Sequence, residues 1–312
     1  MKIACIGECM IELTPAPAGQ LQRGYGGDTL NTAIYFARLG TEVDYVTALG
    51  DDVWSGGMVA AWTAEGVGTR HVARIPGKLP GLYIIETAAD GERRFHYWRD
   101  SSAARALLDL PGSAAMLADL SAYDLIYLSG ITLSLYDAGG RARLLAALAA
   151  ARQAGTRVAF DTNFRPRNWP DRAAAQMAYG EAFAVSDIVL ASIEDLDLLY
   201  GGGEGNKAAD RLVVGELVLK LHEPACRVRL PGFDTVVTAT PVERVVDTTA
   251  AGDSFAAAYL AARLGGADPV VAATAGHRLA GIVVGHRGAI IPRPAMPADL
   301  AGPRDQEKEV SS

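Results

Sequence analysis

With 312 residues, half of them hydrophobic and 21% charged, the chain has enough apolar side chain for a full core and falls among globular rather than disordered sequences. Its formal net charge of −7 argues against a nucleic-acid binder, which needs a basic face, so an anionic substrate must be met by a local Arg or Lys cluster. No apolar run reaches the ~18 residues of a membrane span, Glu8 interrupts the first apolar stretch too early for a secretory leader, and Cys5, Cys9 and Cys226 read as reduced thiols, so a cytoplasmic protein is expected.

Lys2 to Ile6 is a short apolar run ending at Gly7 and reads as a buried first strand. Residues 7–13 then alternate apolar and charged, as a half-exposed strand does, until Pro15 and Pro17 stop it. Gly26-Gly27 reads as a turn, and Asp28 or Thr29 as the N-cap of an amphipathic helix running through Leu39 to Gly40. The same glycines would let a polar ligand approach the backbone, with Asp28 and Asn31 reading its hydroxyls. Strand 43–49 and helix 53–65 repeat the βα pattern. Residues 82–87 and 93–99 break the rhythm: both are β-rich, and Ala89-Asp90-Gly91 between them signals a hairpin. With residues 10–14 they predict a small second sheet over the main one.

The alternation resumes with strand 125–128, helix 141–154 and strand 157–160. That last strand delivers Asp161-Thr162-Asn163-Phe164-Arg165-Pro166-Arg167 at its carboxyl end, where open α/β sheets bind ligands. Strand 188–191 leads into Ser192-Ile193-Glu194-Asp195, which serves equally well as a solvated helix start. Strand 216–220 ends at Lys220, and 226–230 with 233–240 form a β-pair across Pro231-Gly232. Arg244-Val245-Val246 reads as the end of a strand, 255–264 as a helix closed by Gly265-Gly266, and 268–284 as a final helix carrying His277 and Ala280. Residues 305–312 read as a polar frayed tail. The whole pattern predicts an α/β fold, one domain over 1–312, with lid strands from about 8–14 and 81–100 inserted.

Between strand and helix, Asp247 to Asp253 form a turn of small residues. Such a turn can aim backbone N–H groups outward, and the helix that follows adds its positive dipole end, which makes an anion site. A carboxylate at its rim, Asp253, would act as general base for an attacking hydroxyl rather than pair with the anion. A plain capped helix start is the alternative reading of these spacings.

The run Asp247-Thr248-Thr249-Ala250-Ala251-Gly252-Asp253 resembles the D-T-x-G-A-G-D signature of the ribokinase-like (PfkB) carbohydrate kinases, with Ala250 in the first glycine position. Gly26-Gly27-Asp28-Thr29-Leu30-Asn31 is similar to that family's G-G-x-x-x-N run, and the wording of both looks most like the ketodeoxygluconate branch. The resemblance implies a three-layer α/β/α domain with a mostly parallel central sheet and a small β-sheet lid. It implies an ATP- and Mg²⁺-dependent kinase acting on the 6-hydroxyl of 2-keto-3-deoxygluconate, leaves room for a monovalent cation, and suggests a homo-oligomer through the lid. On it, Asp253 is the base, the backbone of Ala250, Ala251, Gly252 and Asp253 the anion hole, and Arg165 the bridge between sugar and phosphate. Gly26, Gly27, Asp28, Asn31, Tyr83, Tyr97 and Arg99 would hold the acid sugar, Arg99 taking its carboxylate. Asn163, Ser192, Lys220, Ala250, Gly252, His277 and Ala280 would hold the nucleotide, and Asp195 would organise Mg²⁺ through water. Taken alone, Arg99 also reads as a surface arginine and His277 as a packed residue.

The chain departs from that pattern where K-x-G-x-x-G is usual: His222 and Ala225 replace both glycines, and Pro224 stiffens the turn. Two rival functions follow, a kinase for another sugar or sugar acid (fructokinase or ribokinase type) and a sugar-binding regulatory protein with impaired ATP use.

Overall fold

A computed structural model describes residues 1–87 and 93–300. The expected hairpin turn at 89–91 and the tail at 305–312 lie outside them. Strands β1 (Lys2–Ile6), β2 (Met10–Pro15), β3 (Leu21–Gly26), β4 (Glu42–Gly50), β5 (Val72–Ile75), β6 (Leu82–Thr87) and β7 (Arg93–Trp98) make up the first third of the chain. Then follow β8 (Leu125–Ser129), β9 (Arg157–Asp161), β10 (Ile188–Ser192), β11 (Glu216–Lys220), β12 (Ala225–Leu230) and β13 (Phe233–Thr238).

The apolar runs of β1, β8, β9 and β10 show no polar alternation because both of their faces are covered. In β1, Ala4 and Ile6 enter one hydrophobic core while Ile3 and Cys5 enter the other. Side chains alternate across a strand, so one sheet feeds two cores. Helices Asp28–Arg38, Val53–Ala64, Ala251–Leu264 and Pro269–Val283 cover one face, and Ala138–Gln153, Arg172–Ala184 and Ile193–Tyr200 the other. Four of these helices begin at an aspartate, Asp52, Asp137, Asp171 or Asp268, whose side chain accepts from backbone N–H groups of the first turn. No helix among the described residues is long and apolar enough to cross a membrane.

The main sheet runs in the order β13-β12-β11-β10-β9-β8-β1-β4-β5. From β5 to β11 all neighbours are parallel, while β12 and β13 return antiparallel. The four residues between β11 and β12 are too few for a parallel crossover. After β1 the chain winds to β4 and β5 on one side, then resumes at β8 on the other. That reversal opens a crevice at the carboxyl ends of β1 and β8.

A second sheet, β3-β2-β6-β7, forms the lid. Its β2 overlaps the first expected segment, running Met10–Pro15 rather than about 8–14, and β6 and β7 lie within the second. Strand β3 was not expected, because Gly24 and Gly26 make a poor β sequence. Pairing decides it: Leu21 to Gly26 run antiparallel to Pro15 to Met10, satisfying an edge that β2 would otherwise expose. Residues 244–246 are not the strand that their sequence suggests. The backbone N–H groups of Val246 and Asp247 donate to the carbonyl of Val284 at 2.7 and 3.1 Å, so this segment is tied to a helix end instead of the sheet.

Candidate active site

Parallel register gathers the polar ends of separate strands. Ser129 lies opposite Asp161, and Ser192 opposite Lys220, all at carboxyl ends. The segments following these strands, together with the lid, surround a cleft of about 800 Å³ lined by, among others, Asp28, Asn31, Tyr83, Asp161 and Asp253. Gly27 lies at its rim, where a Cβ would sit 2.3 Å from the carbonyl oxygen of Glu8. Only glycine lets the helix Asp28–Arg38 start so close to the β1 loop.

That helix packs against Ala251–Leu264 and brings Asn31 to Asp253, whose Oδ2 accepts from Asn31 Nδ2 at 2.9 Å. Asp253 stands in the first turn of its helix. Burial, and next the charge of Asp28, push its carboxyl up to about 8, while the Asn31 hydrogen bond opposes the rise. Asp28 Oδ2 accepts from Ser129 Oγ at 2.5 Å and from Asn163 Nδ2 at 2.7 Å. Asn163, expected on the nucleotide side, therefore engages a residue expected on the sugar side.

Lys220 Nζ lies 3.4 Å from Asp161 Oδ2, and a Cβ at Gly252 would be 3.4 Å from the same ammonium. Burial alone would lower the Lys220 pKa, but Asp161, then Asp195 and Asp253, hold it above the usual lysine value. Asp161 is raised by its own burial against the pull of Lys220. A positive charge thus flanks the small-residue turn.

In that turn Ala250 adopts the left-handed conformation, φ 59°. An alanine there is strained by roughly 1–2 kcal/mol, partly offset by the entropy that a glycine loses on folding. Ala250→Gly is therefore expected to stabilise the chain by ~0.5–1 kcal/mol, seen as a raised urea midpoint. A lowered midpoint would show that the strain is absent. The Ala251 N–H donates to the Thr248 carbonyl at 3.2 Å and is spent within the turn, so Ala251 does not serve the anion hole as expected. Ala250 and Gly252 line the cleft; Ala251 does not.

Asp195 accepts from Thr162 Oγ1 at 2.7 Å and lies 3.7 Å from Arg165 Nη1. Ser192 caps the helix Ile193–Tyr200, accepting from the Asp195 N–H at 3.1 Å, while still lining the cleft. Among the described residues no group of three or more His, Cys, Asp or Glu side chains is arranged to hold a metal.

Three expected site residues are placed elsewhere. Arg99 pairs with the buried Glu8 and does not line the cleft. His277 does not line the cleft: its Nε2 donates to the Val237 carbonyl at 3.0 Å, and its ring packs edge-on against Phe255. Burial holds its pKa below the usual histidine value. Ala280 packs against the hydrophobic core. Tyr83 and Tyr97 do line the cleft, stacked with centroids 5.6 Å apart, and Tyr83 Oη donates to Glu12. Arg167 lines it as well and was not anticipated, though it closes the same polar run that supplied Arg165. In the altered loop, His222 Nδ1 meets Glu194 Oε1 at 2.8 Å, and the turn closes through Leu221 N–H to the Ala225 carbonyl.

The pattern of the pfkB family of carbohydrate kinases matches residues 1–296. The chain is 47% identical over 306 residues to a 2-dehydro-3-deoxygluconokinase of Dickeya dadantii (strain 3937), covering 95% of this chain and 98% of that protein. It is 44% identical over 307 residues to the 2-dehydro-3-deoxygluconokinase of Escherichia coli (strain K12), covering 95% and 99%. Its fold superposes on 2-dehydro-3-deoxygluconokinase from Thermotoga maritima with a TM-score of 0.82 at 23% identity, covering all of both chains. Fructokinase with bound ATP from Xylella fastidiosa gives 0.81 at 24%, covering 100% and 99%. The chain belongs to the pfkB family of carbohydrate kinases.

Proposed function

We propose that this protein transfers a phosphoryl group from ATP to the 6-hydroxyl of 2-keto-3-deoxygluconate, the acid also called 2-dehydro-3-deoxygluconate. The observation that carries this reading is Asp253, a cleft carboxylate oriented by Asn31 and set at a helix N-terminus beside Lys220. Its relatives at 44–47% identity support the choice of acceptor. Asp253 takes the proton from the attacking hydroxyl as the new P–O bond forms. The backbone of Ala250 and Gly252, the helix dipole and Lys220 meet the charge on the transferring group, an electrostatic task. Arg165, half exposed at the cleft, reaches toward donor and acceptor.

When bound, Mg·ATP supplies the phosphoryl group and a dication that neutralises its oxygens. With no cage of three acidic or imidazole side chains among the described residues, the site suits a metal held by phosphates and water, with Asp195 in reach of that water. A lid over the cleft excludes water, which would compete as acceptor.

A coupled ADP-release assay with Mg·ATP tests the reading, run on 2-keto-3-deoxygluconate, fructose, ribose, gluconate and a sugar-free blank. Turnover on the keto-deoxy acid in preference to the others is expected. Turnover on a neutral sugar alone would replace the acceptor, and silence across the panel from folded protein would favour the binding role that the 222–225 loop suggested.

A further inference from the structure

We infer that the chain carries a second ligand site, remote from the cleft, that takes a small apolar carboxylate. A cavity of about 500 Å³ lies between the C-terminal half of helix Arg172–Ala184, the end of helix Ile193–Tyr200 and the short helix Gly205–Arg211. Helix Arg172–Ala184 leads into the amino end of β10, and Val213, which lines the cavity, stands just before β11. The cavity therefore lies toward the amino ends of these strands, whereas the cleft lies at their carboxyl ends. Nothing in the phosphoryl transfer proposed above uses it.

Phe183, Tyr200 and Leu212 give the cavity an apolar, partly aromatic lining, and Val213 beside them is 96% exposed. Gly180 widens it. A glycine inside a helix is less stable than an alanine there, so a steric or conformational demand is its usual reason. Neither arises within this chain: a Cβ at Gly180 would meet no atom within 4 Å, and Gly180 is not among the glycines of positive φ. The room left by the missing side chain belongs to the cavity. Its volume falls within the roughly 300–1,000 Å³ of small-molecule sites.

One charge marks the kind of occupant. Arg211 lines the cavity and is exposed, and no carboxylate among the described residues forms an ion pair with it. Glu204, the one carboxylate among the described residues lining the cavity, is bonded instead to Lys207 at 2.8 Å. A guanidinium offers parallel N–H groups that fork a carboxylate. An acid with an apolar body would pair with Arg211 and cover Phe183, Tyr200 and Val213.

Isothermal titration calorimetry with 3-phenylpropionate, and with 3-phenylpropanol as its neutral counterpart, tests the assignment on the unaltered chain, Gly180→Leu and Arg211→Gln. The acid is expected to bind the unaltered chain with a Kd of about 0.1–1 mM. Gly180→Leu fills the cavity and abolishes binding, while Arg211→Gln weakens the acid roughly tenfold and leaves the alcohol unchanged. Cooperative melting of both variants shows that they are folded. No heat of binding up to about 10 mM acid overturns the inference, as does equal affinity for acid and alcohol. Acid bound equally well by Gly180→Leu sits elsewhere on the protein and overturns it too. Sedimentation velocity supplies the last check: a dimer that Gly180→Leu dissociates would give the cavity to a second copy of the chain and overturn the small-molecule assignment.

Discussion

Asp253→Asn is expected to fold and to lose turnover by roughly 10²–10⁴-fold, the usual contribution of a positioned base. The amide can keep the Asn31 contact but cannot accept the hydroxyl proton. In the unaltered protein, burial and the charge of Asp28 raise the Asp253 carboxyl from 3.8 to about 8. Only the ionised form is a base, so kcat/KM should climb about tenfold per pH unit below that value and level off above it. The same shift fixes a stability trend. Above 3.8 the unfolded chain releases a proton that the folded chain keeps until about 8, so stability falls as pH rises through that window. Asp253→Asn removes this dependence, and its melting temperature should gain on the unaltered protein between pH 5 and pH 8.5. Near-normal kcat in the variant would remove Asp253 from the base role. A constant gap in melting temperature would mean that its carboxyl titrates normally.

Arg99→Ala should act on stability before it acts on substrate. The Arg99 side chain is 10% exposed and that of Glu8 1%; Arg99 Nη2 donates to Glu8 Oε2, and Glu8 Oε1 has no hydrogen-bond partner among the described residues. Removing the guanidinium leaves a buried carboxylate uncompensated, which costs about 3–5 kcal/mol. Glu8 follows β1 and Arg99 follows β7, so the pair also ties the lid to the main sheet. The double variant Glu8→Gln/Arg99→Met should recover part of the loss, because two neutral side chains need no compensation. Equilibrium urea unfolding reads both. An Arg99→Ala protein of normal stability but sharply raised KM for the acid would return Arg99 to the carboxylate role.

The sequence by itself determined the βα alternation, the double burial of the central strands, the helix beginning after the small-residue turn, and Asp253 at its start. Those features rest on interactions within a few residues: apolar periodicity, aspartate caps, and the start of a helix at Ala251. What lay beyond it was set by partners distant in the chain. Asn31 orients Asp253 from 222 residues away, and Asn163 and Ser129 hold Asp28 from 135 and 101 away. Strand β3 exists because β2 offers an edge, and residues 244–246 leave the sheet because Val284 holds their backbone. The tertiary structure also decided among the arginines. Arg99 and Arg167 are alike as letters, yet one meets Glu8, 91 residues distant, and the other lies over the face of Tyr97. A charge already compensated by a buried partner is not free to bind an anion, and that compensation exists only once the chain has folded.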